Sequence, residues 1–127
     1  MLNNQGQAAT QVKLLAAVSA ADTAAATSAW VDVTKAEGDL VFNVNTGIVT
    51  GQVVWTIEHA TDDQGAGGAG ITPNEGAFTT VTTSNDPLSQ KRTVSASAVA
   101  GFVRVVGTVT TGPVLCAVDL FYHPKNV

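Results

Sequence analysis

An all-β fold, an antiparallel β-sandwich or jelly roll of about seven to eight short strands, is what this sequence predicts, on three observations. Apolar residues alternate with period two in stretches such as DLVFNVN and QVVWTIEHA. Turn residues return at spacings of roughly 8–15 residues, with no helical periodicity between them. Charge is scarce, at 13% of 127 residues, while hydrophobic residues make up 45%, so Thr, Ser, Asn, Gln and Gly must supply the polar surface. That surface suits strands better than exposed helices, which usually carry many Lys and Glu. The length fits one domain able to bury roughly two-thirds of its unfolded surface, so neither a metal nor a disulfide is required as a staple.

Taken in order, residues 1–11, MLNNQGQAATQ, are small and polar and read as a flexible N-terminal arm, leaving 12–127 as a single β-sandwich domain. Val12, Leu14, Ala16 and Val18 alternate and predict a first strand. The Ala/Thr/Ser-rich AADTAAATSA that follows predicts a loop. AWVDV predicts a short strand and KAEGD a turn. DLVFNVN then sets Leu40, Phe42 and Val44 on one face, and TGIVTG reads as a glycine-bounded connection. QVVWTIEHA points Val53, Trp55 and Ile57 inward and Val54, Thr56 and Glu58 outward, with His59 near the strand end. Residues 62–76 read as a long glycine-rich loop, AFTTVTT as a resumed strand and SNDPLSQ as a turn at Asp86–Pro87. KRTVSASAV, GFVRVVGTVTT and PVLCAVDLFYH complete the strands, the last two joined at Gly112–Pro113. The apolar runs FVRVV and VLCAV predict strands in mid-sheet or at a subunit contact.

The residues that could carry chemistry do not assemble into a known pattern. Asp62, Asp63 and Gln64 are consecutive rather than alternate, and Gly and Ala follow, so they do not make an EF-hand calcium loop. GAGGAG lacks the Lys and Ser/Thr of a phosphate loop and precedes a β pattern, not a helix. There is no G-x-S-x-G elbow, and His59 and His123 share no metal-binding motif. Asp32 and Asp119, weighed as a carboxylate pair for sugar hydrolysis, are instead expected to offer Arg104 a structural ion pair. Cys116 is the one cysteine and is expected in the core. Trp55 alternates with core residues and is expected to be buried; a sugar platform would need both Trp30 and Trp55 exposed. The chain is accordingly expected to be no enzyme and to use no cofactor.

A net charge of −4, with six scattered basic residues, gives no stripe for phosphates, so nucleic acid is not an expected partner. No apolar run is long enough to cross a membrane as a helix. KLLAAVSAAD imitates a secretory signal, but its apolar run is short and the mainly small and polar segment before Lys13 has no Arg or Lys. The expectation is a chain made in the cytoplasm with its N-terminus intact.

The order WVDVTKAEGDLVFNVNTGIVTGQVVWTIEHATDDQG, then GAFTTVTT, then GFVRVVGTVTTGPVLCAVDLFYHPK resembles a family of small structural proteins of tailed bacteriophages, encoded beside capsid genes. The matching features are Trp30–Asp32, Thr46–Gly51, Glu58, Asp62–Gly65, Phe78–Val81 and Val103–Val105, within residues 28–124. The enlarged GAGGAGITPNE segment departs from the family pattern. The resemblance implies a capsid decoration, or cement, protein located on the virion surface, binding the major capsid protein as a homo-oligomer, a trimer first and a dimer second. Contacts would then fall on Asn3, Asn4, Gln5 and Gln7 of the arm and on Asp62, Asp63, Gln64, Asn74 and Glu75 of the long loop. The alternative is a carbohydrate-binding β-sandwich module, such as a virion-displayed adhesin.

Overall fold

The computed structural model describes residues 9–125 and is a β-sandwich of nine strands. In chain order they are β1 (Thr10–Ala20), β2 (Val31–Asp32), β3 (Ala36–Val49), β4 (Gln52–Ala60), β5 (Ala69–Ile71), β6 (Val81–Thr82), β7 (Leu88–Ser95), β8 (Phe102–Thr110) and β9 (Val114–Pro124). A short 3₁₀ turn covers Ala96–Ala98. The first sheet has the order β1-β9-β3-β7; the second has β2-β8-β4-β5, with β6 also on β4. All pairings are antiparallel.

The alternation read from the sequence produces the core. Leu40, Phe42 and Val44 of β3 and Val114, Val118 and Leu120 of β9 face Val53, Trp55 and Ile57 of β4 and Val103 and Val105 of β8, all buried. Each large side chain buried in this way contributes roughly 1.5–3 kcal/mol relative to exposure. Trp55 fits because its cross-strand partner is Gly107, where a side-chain carbon would come within 2.8 Å of the indole. The buried indole N–H donates to Thr46 Oγ1 at 3.0 Å, so the core holds no unpaired polar tip there. Cys116 is in this core as expected, and burial pushes its thiol pKa up. The apolar runs of β8 and β9 are mid-sheet strands, each with a neighbour on both sides.

Several boundaries differ from the sequence expectation. Of KAEGD only Lys35 belongs to the turn, which Ala36 N–H closes by donating to Val33 O at 3.0 Å; the rest is strand. Ala36 and Glu37 pair with Pro124 and His123, and an irregularity around Gly38, with φ at 74°, absorbs the bend inside β3. TGIVTG is likewise mostly strand: β3 runs to Val49 through a bulge between Thr46 and Val49, and only Thr50–Gly51 crosses to the other sheet. AFTTVTT is reduced to β6 because Thr79 turns its N–H and C=O to the Gln90 side chain, at 2.7 and 2.9 Å. Thr10 and Gln11, expected in the arm, pair with Tyr122 and Phe121 and open β1. The rest of the arm up to Ala8, including Asn3, Asn4, Gln5 and Gln7, lies outside the described residues.

Candidate functional site

Two surfaces collect the residues that packing leaves to function. The first is the outer face of the second sheet, where the Asp62–Gly68 loop rests. Asp62 organises this loop: its Oδ1 accepts from the amides of Gln64 and Ala66 at 2.9 and 3.0 Å. Those amides stabilise the carboxylate and hold its pKa below the ordinary range. Thr61 closes the turn through Ala66 O, and the chain then returns along β4 as β5, pairing Gly70 with Glu58. The long segment is therefore partly strand, a feature its Ala-Gly sequence does not announce.

Gly65, at φ 84°, lies against Trp30, where an added Cβ would approach the indole to 3.3 Å. Arg104 covers the Trp30 ring at 4.4 Å from its centroid, and its guanidinium pairs with Glu58 Oε1 at 2.8 Å. This corrects the expected ion pair. Asp32 lies on β2 and accepts from Thr34, which lowers its pKa; Asp119 lies in the other sheet, with Gln11 at 3.2 Å and Lys13 at 3.7 Å. Glu58 wins because β4 and β8 pair in a register that sets it directly opposite Arg104. Its outward position on a well-defined strand was legible; the register was not. Trp30 is thus engaged by Arg104 and Gly65 and is no open sugar platform, and Trp55 is buried.

The other sequence candidates divide. Asp63 and Gln64 are exposed at the loop tip and touch each other at 3.3 Å. Asn74 and Glu75 are exposed but committed to β7. Asn74 donates to Thr93 O at 2.8 Å, and Glu75 accepts from the Thr93 amide and hydroxyl at 2.8 and 2.5 Å, which lowers its pKa. His59 Nδ1 accepts from the Ala100 amide at 3.0 Å. Among the described residues no group of three or more His, Cys, Asp or Glu is placed to hold a metal.

The second surface is the first sheet's edge and outer face. Among the described residues the other long strands have covered edges, and the remaining open ones are the two- and three-residue strands β2, β5 and β6. Residues 74–79 run along β7. The Ala-rich loop seals β8: Ser28 and Ala26 bond Val105 and Gly107, and Thr23 Oγ1 accepts from Val109. β5 and β6 share the side of β4 away from β8. Among the described residues β1 pairs only with β9, leaving an 11-residue edge about 36 Å long. At one end of the same sheet an open groove of about 520 Å³ is lined in part by the exposed Val18 and Leu115, and Ile48 in the β3 bulge is exposed as well. No protein-family model, curated protein or solved structure matches this chain, so the use of these surfaces has to be argued from its own residues.

Proposed function

We propose that this chain is a non-enzymatic virion structural protein, a capsid decoration protein that binds the major capsid protein on the outside of the shell and ties neighbouring subunits together. The sequence resemblance over residues 28–124 supports the reading, and the observation that carries it is the uncovered β1 edge. A fold whose other long strands have covered edges, and whose 11-residue β1 keeps the backbone groups on its side away from β9 open among the described residues, is suited to strand addition by a neighbour. The edge carries one charged residue, Lys13, and no proline. Modest contacts of this kind gain from repetition on a lattice, where neighbouring attachments raise the effective concentration.

The test is co-sedimentation of the purified chain with shells assembled from the major capsid protein. Saturable binding is expected, weakened at least tenfold by Ala16→Lys, which adds charge to the exposed edge while circular dichroism and the melting temperature stay as in the parent. A folded full-length chain that remains in the supernatant at all ratios would overturn the assignment. Binding that is indifferent to the β1 substitution would remove β1 as the attachment edge.

A further inference from the structure

The cover on β4 has one gap, and it lies beside Trp55. The way each β4 peptide group points follows from β8. Val105 N–H and C=O, Gly107 N–H and Val109 N–H all bond to the Ala-rich loop, so the odd-numbered residues of β8 face away from β4. Their partners Val53, Trp55, Ile57 and His59 therefore turn their own N–H and C=O away from β8. Val53 meets Val81 of β6, while Ile57 and His59 meet Ile71 and Ala69 of β5. Trp55 meets neither strand. Continued, the β5 register would bring Pro73 opposite it, and proline has no N–H to give. The β6 register would bring Thr79, whose N–H and C=O are committed to the Gln90 side chain at 2.7 and 2.9 Å. Between these two points the chain leaves the sheet to lay Asn74 and Glu75 against Thr93 of β7. Among the described residues the Trp55 N–H and C=O thus have no strand partner on that side, and no loop group bonds them, although Trp55 is 1% exposed. A buried peptide group without a partner is rare in folded proteins and costs free energy.

A cavity of about 340 Å³ opens at this gap. β4 lines it together with Ile71, Pro73, Ala77 and Phe78, and none of its lining residues is charged. Apolar walls around a few convergent polar groups are the usual form of a small-molecule site. Here the polar groups are one donor and one acceptor of a single extended residue, which point the same way side by side. The edge that matches them is a C=O beside an N–H, as on a cis amide. The gap also limits the occupant. From Val53 to Ile57 it spans about 13 Å of β4, and β6 and β5 hold its two ends. A strand laid along β4 would need the line those strands occupy; a compact molecule would not. We propose that the gap beside Trp55 binds a small neutral molecule with an apolar ring and a cis-amide edge, a lactam in the simplest case. Its C=O accepts from the Trp55 N–H, and its N–H donates to the Trp55 C=O. The site is independent of β1 and of capsid attachment.

The experiment is an amide NMR titration of the isotope-labelled full chain with dihydrocarbostyril, a benzene-fused lactam. Saturable movement of the Trp55 amide to lower field is expected, with a Kd of about 1 mM for a ligand of this size. The N-methyl analogue keeps the ring and the carbonyl but has no donor for the Trp55 C=O, and should bind at least ~10-fold more weakly. Two variants fill the cavity from different residues. Gly70→Leu adds a side chain where a Cβ meets only Ile57 O, at 4.0 Å, and Ala77→Leu enlarges an exposed residue. Each should abolish the shift while the other amide signals stay dispersed and in place, and either one decides the matter if the other does not fold. A Trp55 amide unmoved at about ten times the expected Kd, equal binding of the methylated analogue, or binding that survives a folded cavity-filling variant would each overturn the proposal.

Discussion

Replacing Gly107 by alanine tests the tightest packing in the core. The added Cβ would lie 2.8 and 2.9 Å from two carbons of the Trp55 ring and 3.1 Å from the Ala26 Cβ. Carbon atoms prefer about 3.5–4.0 Å, so relief needs a shift of about 0.7 Å. Neither side gives easily. The indole is held by its bond to Thr46 Oγ1 at 3.0 Å, and the β8 backbone is held by Gly107 N–H donating to Ala26 O at 3.0 Å. Overpacking of this kind costs about 1–3 kcal/mol. Removing a glycine's unfolded-state freedom returns about 0.5–1 kcal/mol, leaving a net loss of about 0.5–2 kcal/mol. Urea unfolding followed by circular dichroism measures it: with a slope near ~2 kcal/mol/M, the midpoint should fall by about 0.25–1 M without a change in slope. Adding Trp55→Phe provides the internal control. The smaller ring makes room for the Cβ, so the double variant should be more stable than the sum of the single losses predicts. Strict additivity, or a Gly107→Ala protein as stable as its parent, would refute the packing argument.

Further outcomes follow from the same geometry. Thr46→Val keeps the shape but leaves the buried Trp55 N–H without its acceptor; a loss of about 1–3 kcal/mol in urea unfolding is expected, with Thr46→Ser nearer the parent. Arg104→Met removes the cover from Trp30 and the partner of Glu58. Global stability should fall by less than ~1 kcal/mol because the pair is partly exposed, while hydrogen exchange over 61–68 rises. Glu75 has a folded-state pKa below its unfolded value, so the stability it adds is present above the ordinary glutamate range and is lost as pH falls through the lower folded value. In Glu75→Gln the fall in melting temperature below about pH 4 should therefore be shallower than in the parent; parallel curves would sink the clamp on Thr93.

The core was legible in the sequence wherever one strand's own alternation decided it. Leu40, Phe42 and Val44, and Val53, Trp55 and Ile57, announce their burial because period-two spacing fixes the face of every residue in the strand. What joins two strands was not legible. Glu58 read as outward-facing and Arg104 as a partner for Asp32 or Asp119, but the pair they form depends on a register set by the whole β4–β8 ladder. The clamp of Asn74 and Glu75 on Thr93 and the seal of the Ala-rich loop on β8 are long-range contacts to backbone groups that leave no mark in local composition. β5 is a three-residue strand of Ala, Gly and Ile, too short to show alternation. The apolar end of the first sheet was hidden for a further reason: Val18, Ile48 and Leu115 come from strands far apart in the sequence, and the bulge between Thr46 and Val49 breaks the alternation around Ile48.

The position of β9 has a consequence for biosynthesis. It is the strand on which both β1 and β3 form their ladders, yet it is the last strand of the nine to leave the ribosome. Until Val114–Pro124 has emerged, β1 and β3–β7 are sheet fragments with nothing between them, while the second sheet, whose strands end at Thr110, can already assemble. Folding should therefore finish only after translation has passed β9, with a slow closing step set by the long loop between the first strand and the last. A nascent chain arrested before Val114 should remain protease-sensitive across β1, and one released after Pro124 should not.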